Sequence, residues 1–409
     1  MFPRNLRAVP VLVLCTFALT ACSPPEPTPE ASSTSALGDG HGYVAGAEEV
    51  QEPPLHLLTL GTDDAVNQLD LSTEEWTEVG TVDGATDAAT DGRFVFVSDA
   101  AAGLVTIVDS GMWTQSHGDH FHYYRASSRI VGSIQETGPA TVSAGSSATG
   151  IFFPESGVGV MLDNAALGEG DIVETVRHNS VPHDGSIVQR GESTLVTTAD
   201  AGKPSAVQVL GLDASVTNEA DCTGAGLPIT TSVGVAYPCA DGVLLATTAE
   251  DGIRFERIDY PASSAPPATS FAARKGRPIV AGLAGDAGVW LLDSRQRALT
   301  LLQTEVPLRQ VTAVDDAAGH IIGLTIDGRV TVLSADDGAV LATTEPLLPE
   351  TLLTPDLLGG VDLVADAQRV YLNAPAERAL FEIDFADSAR VARTFATGNI
   401  PLFFAETGR

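Results

Sequence analysis

Residues 117 to 124 read HGDHFHYY and hold three of the chain's eight histidines. His120 and His122 are one residue apart, so in an extended segment both imidazoles stand on the same side. Two neutral imidazoles on one side make half of a tetrahedral zinc site. His117 precedes Gly118, whose tolerance of positive φ lets the chain turn and bring a third imidazole to the same point. Asp119 is placed to be a fourth ligand, or an outer acceptor that fixes a histidine tautomer. Imidazoles also suit copper and nickel, because selectivity among these ions rests on geometry. The plain alternative is a surface loop whose histidines are solvated or pack on Tyr123 and Tyr124.

A single short loop seldom encloses a metal, so a donor from elsewhere is expected. His183, in SVPHDG, is the candidate: Pro182 restrains the backbone before it, and Asp184 and Gly185 turn the chain into the next strand pair. Asp184 is a further candidate for the outer shell. Of the other histidines, His178 follows Arg177 in a polar stretch and reads as exposed. His320 opens an apolar strand and reads as packing, His56 in LHLLTL reads as an outward strand position, and His41 lies in a linker.

The ends of the chain frame this chemistry. Residues 1–22 place Arg4 and Arg7 before an apolar stretch that is too short to span a bilayer, and close on Leu19, Thr20, Ala21 and Cys22. That ending resembles a bacterial lipoprotein signal with its lipobox, which makes Cys22 the lipidation site and the protein an exported one, lipid-anchored on the extracytoplasmic face of the membrane. A plain secretory signal is the alternative. Residues 23–50 are rich in Pro, Ser, Thr and Gly, a composition that behaves as a flexible tether. The folded body is expected over residues 51–409. Its two cysteines, Cys222 and Cys239, are outside the reducing cytoplasm and are expected to form one disulfide.

Lys plus Arg number 22 against 53 Asp plus Glu, a net charge of −31. Such a surface repels phosphate backbones, which excludes nucleic acid as a partner, and leaves the lipid anchor as the only expected membrane contact. The chain carries no G-x-S-x-G elbow, Walker A loop, C-x-x-C-H haem attachment or H-E-x-x-H.

The body shows no long helical periodicity. Short runs rich in Val, Ile, Leu and Thr recur instead between Gly, Asp and Pro turns, and two such runs with a tight turn form a repeating unit. Eight units begin at residues 55, 91, 149, 192, 241, 285, 318 and 367, a mean spacing of about 45, the length of a four-stranded propeller blade. The expected fold is all-β, a β-propeller with eight blades ahead of seven, against a β-sandwich pair that needs no regular period. PLFFAETGR at 401–409 is expected to pair beside LHLLTL and close the ring.

HGDHFHYY, the segment HGYVAGAEE at 41–49 and the ending FFAETGR at 403–409 together resemble the AztD family of periplasmic zinc metallochaperones. The resemblance implies a β-propeller that binds zinc and passes it to the zinc-binding solute-binding protein of an ABC importer: a carrier rather than an enzyme. It places the family's histidine motif on His117, His120 and His122, and raises His183 as the ligand from another blade. Family members can also carry a His-rich N-terminal arm with a weaker second site; here that region holds only His41. Protonation of the imidazoles is expected to weaken binding below about pH 6.5. The rival functions are a zinc-dependent hydrolase, which needs a general base and a substrate pocket, and a metal-free propeller scaffold that presents loops to partner proteins.

Overall fold

The computed structural model describes residues 46–116, 120–211 and 213–409. The lipobox cysteine Cys22, the tether with His41, and His117 and Asp119 therefore lie outside the described residues. Among those described, the apolar runs fold almost wholly into antiparallel strands. The unit DGRFVFVSDAAAGLVTIVDS becomes Phe94–Asp99 and Leu104–Asp109, paired in register from Phe94 with Asp109 to Asp99 with Leu104. Both faces of such a strand are covered, so its residues are apolar nearly without alternation.

Among the described residues eight sheets of this kind follow one another, seven of four strands and one of three, with a ninth small sheet set apart. Each is a simple meander whose first strand lies innermost. Sheet one is the exception: its innermost strand is the C-terminal Pro401–Thr407, laid against His56–Gly61 with Thr59 opposite Phe404. The ring of sheets thus begins and ends in the same sheet, as expected, and His56–Gly61 is paired on both sides.

The core is divided in the same way. Eight apolar clusters each join one sheet to the next, from Phe96 and Ile151 between sheets two and three to Leu57 and Tyr371 between sheets one and eight, so the packing closes on itself. The fold is a β-propeller, with its core in the seams between sheets.

Strand direction decides which face of the ring carries which loop. All innermost strands leave one face, here called upper, and successive strands alternate. Connections from one sheet to the next therefore open on the upper face, and connections between a sheet's third and fourth strands open on the lower face.

Cys222 follows the last strand of sheet four and Cys239 ends the second strand of sheet five; their disulfide, with Cα atoms 5.1 Å apart, staples the two sheets within one apolar cluster. The bond closes a loop with a sequence separation of 17. Chain-entropy bookkeeping assigns a loop of that size about 3 kcal/mol. Reduction, or a C222S/C239S variant, is expected to lower the unfolding free energy by about that amount in denaturant titrations. No helix among the described residues is long and apolar enough to cross a membrane.

Candidate metal centre

The histidine segment forms a hairpin inserted between the third and fourth strands of sheet two, Leu104–Asp109 and Arg129–Gln135. Its strands are Met112–Ser116 and Phe121–Arg125, and the short strand Glu48–Val50 adds to its edge, pairing Glu49 with Tyr124. Gly111 closes the root at φ 73°, where a Cβ would collide with the Ala126 carbonyl oxygen, and the Ala126 amide donates to the Gly111 carbonyl at 2.7 Å.

The two-residue period brings His120, His122 and Tyr124 to one side of this small sheet. The Nε2 atoms of His120 and His122 stand 3.0 Å apart and the ring centroids 4.9 Å apart. His122 Nδ1 lies 2.6 Å from Oε1 of Glu49. A carboxylate only accepts, so it fixes the hydrogen of His122 on Nδ1 and leaves the Nε2 lone pair facing His120. The hydrogen between the two Nε2 atoms is then donated by His120. A tetrahedral ion bonded to both nitrogens at 2.0–2.1 Å would hold them about 3.4 Å apart, so replacing that proton by a metal ion asks for a spread of only about 0.4 Å.

Behind the pair lies a stack that restrains the rings. His122 lies nearly parallel to Tyr124, at 15° and 6.3 Å, and Tyr124 stacks on Trp113 at 5.2 Å. The Arg93 guanidinium covers Trp113 at 3.9 Å and grips both oxygens of Asp109 at 2.9 Å. Thr114 Oγ1 donates to the Gly408 carbonyl at 2.7 Å and ties the hairpin to the end of the ring-closing strand. Tyr124 and Trp113 are buried and His122 is half-buried, whereas His120 is exposed, so the site opens to solvent at His120.

The other sequence candidates fall elsewhere. His183 is not brought to the hairpin. It lies on a connection between sheets, hence on the upper face, while the hairpin joins third to fourth strands on the lower face. It is 4% exposed, with Nδ1 on the Val181 carbonyl at 2.7 Å, Nε2 on Thr197 Oγ1 at 3.1 Å, and its ring edge-on to Phe152. That is a satisfied seam histidine, and Asp184 beside it is exposed. His178 is half-buried rather than exposed, and burial, with His183 nearby, lowers its pKa. His320 packs on Phe385 as expected and pairs with Asp316 at 2.6 Å. His56 is buried at 7% exposure, not outward, because its strand is covered on both faces. Glu49 was not among the sequence candidates, and AEEV, with two adjacent carboxylates, has no alternation to mark a strand. Among the described residues no group of three or more His, Cys, Asp or Glu converges to hold a metal.

No family profile matches the chain. No curated protein sequence matches it either. Solved structures do match. Two structures of AztD from Citrobacter koseri, one of them apo, superpose with TM-scores of 0.72 and 0.71 at 18% identity, each covering 86% of this chain and 97% of the other. Dihydro-heme d1 dehydrogenase NirN, solved in complex with DHE, gives 0.55 at 15% identity over 88% of this chain and 77% of its own. In fold the chain is AztD-like, a β-propeller similar to the Citrobacter koseri protein over most of both chains, as its sequence resemblance implied.

Proposed function

We propose that this protein is an extracytoplasmic zinc carrier that holds the ion on its histidine hairpin and hands it to the solute-binding protein of an ABC zinc importer. The observation that carries the reading is the His120 and His122 pair, Nε2 to Nε2 at 3.0 Å, with Glu49 setting the tautomer of His122. His117 and Asp119 of the same sequence segment are assigned as the remaining donors, and His183 is left to its structural place. Zinc is cargo here, not a resident cofactor. The hairpin presents it at an exposed tip, where incoming imidazoles can replace His120 and His122 one at a time. A lipid anchor at Cys22 would keep the carrier near the importer. An AztD-like fold supports this reading over hydrolysis, since the resemblance that led to the fold is to carriers.

Transfer is the test. Zinc-loaded protein is mixed with an apo solute-binding protein in the presence of excess chelator. Transfer is expected to outrun zinc loss to the chelator in the absence of acceptor; zinc that moves only at the spontaneous release rate sinks the proposal. Zinc-dependent turnover of ester or lactone substrates would favour the hydrolase instead. Glu49→Gln is expected to weaken zinc binding by about 10- to 100-fold, the usual cost of losing a carboxylate behind a ligating histidine. Competition with a chromophoric chelator measures it, and an unchanged affinity would remove Glu49 from the site.

A further inference from the structure

We infer that His56 and Asp70 form a second, weaker binding subsite for a divalent transition ion, in a cleft at the root of the histidine hairpin. The cleft, of about 380 Å³, lies between sheet one and the hairpin root, and is lined by His56, Gln68, Asp70, Glu78, Met112 and Ser127 among others. His56 is 7% exposed and its Nδ1 lies 2.9 Å from the Pro54 carbonyl. A carbonyl accepts only, so in the neutral ring the hydrogen is on Nδ1 and Nε2 carries a lone pair. That lone pair faces Asp70 Oδ2 at 3.8 Å, too far for a hydrogen bond.

Asp70 has been prepared in the same way. Its Oδ1 accepts from the Ser72 amide at 2.7 Å, the Ser72 hydroxyl at 2.6 Å and the Thr73 amide at 3.3 Å, which leaves Oδ2 for His56. Two lone pairs thus oppose each other across a gap at the cleft wall. A tetrahedral ion bonded to both at 2.0–2.2 Å sets nitrogen and oxygen about 3.4 Å apart, so the pair need close by only about 0.4 Å. Glu78 and Glu75 line the same cleft, where their charge favours a cation, and water completes the coordination of an ion held by His56 and Asp70. One imidazole with oxygen donors binds zinc less tightly than several imidazoles do, which suits brief occupancy. The subsite shares the lower face with the hairpin, and it stands on its own geometry whether or not the hairpin carries zinc.

Zn²⁺ is titrated into the full chain carrying H120A/H122A, against a chromophoric chelator. One residual equivalent is expected, whose affinity falls by about tenfold or more when H56Q or D70N is added, with the melting temperature in chelator unchanged. Residual binding indifferent to both substitutions, or none at all, overturns the inference. Should the double variant fail to fold, the wild-type chain with nitrogen-labelled histidine decides. Its His56 Nε2 resonance must move as the second equivalent is added; a resonance that answers to pH alone leaves an ordinary His56–Asp70 ion pair and overturns the subsite. Wild-type affinity retained by H120A/H122A would instead sink the hairpin as the carrier site and leave this inference untouched.

Discussion

Replacing His120 and His122 together by alanine is expected to lower the affinity of the principal zinc site by at least about a thousandfold while leaving the fold intact. Apparent zinc free energies of about 10–16 kcal/mol spread over four ligands put roughly 3 kcal/mol on each. Two lost imidazoles therefore remove several kcal/mol, and no described neighbour can replace them. Glu49 reaches only the Nδ1 side of His122, and His183 is on the other face of the ring with both nitrogens occupied. The fold is insulated because His120 is exposed and the hairpin is rooted through Met112, Trp113 and Tyr124, which are buried and remain. Competition titration gives the affinity, and the melting temperature in excess chelator gives the control. A double variant that binds zinc as the wild type does would remove the hairpin from consideration. His183→Ala is the informative companion: it is expected to cost stability, by leaving Thr197 and Val181 without their partner, and to leave zinc affinity alone.

What could be read from the sequence follows from what each strand touches. Six of the eight repeated units fall on the two central strands of a four-stranded sheet, because those strands are buried on both faces and read as plain apolar runs; the units at 241 and 285 fall on the last two strands of sheets five and six. The outermost strands, such as Trp76–Thr81 and Val216–Asp221, are exposed and polar and leave no such mark. The same physics misplaced His56: alternation in LHLLTL implies a solvated face that a sandwiched strand does not have. The histidine pair was legible because its two-residue spacing is a local property. Glu49 was not, because its place beside His122 depends on pairing between segments 73 residues apart. His183 stands apart from the hairpin for a topological reason. A loop between sheets and a loop within a sheet's outer half open on opposite faces, and residue type carries no information about that.

Truncating the chain after Ile400 is expected to abolish the cooperative fold altogether. Pro401–Thr407 is the innermost strand of sheet one, and it serves both neighbouring seams: Ala405 and Phe403 belong to the cluster shared with sheet two, Phe404 to the cluster shared with sheet eight. Loss of one buried Phe side chain costs about 3–5 kcal/mol. Removing the strand also takes from Asn373 two of its acceptors, the Pro401 and Leu402 carbonyls at 3.0 and 3.1 Å, leaving that of Gly360, and exposes the unpaired edge of His56–Gly61. These losses together exceed the 5–15 kcal/mol that holds a typical domain. Calorimetry should show no sharp transition; a truncated chain melting within a few degrees of the parent would mean that the strand does not close the ring. Removing only Gly408 and Arg409 separates closure from function. That shorter truncation leaves both seams filled but deletes the Gly408 carbonyl that accepts from Thr114 in the hairpin. It also deletes Arg409, whose guanidinium reaches Asp366 and Glu406 and whose carbonyl accepts from Lys275 at 3.1 Å. The ring is then expected to melt cooperatively at a lower temperature, with zinc held more weakly because the hairpin has lost its tie to the closing strand. Zinc affinity unchanged in a cooperatively folded protein would show that Trp113, Tyr124 and Arg93 position the histidines without help from the chain's end.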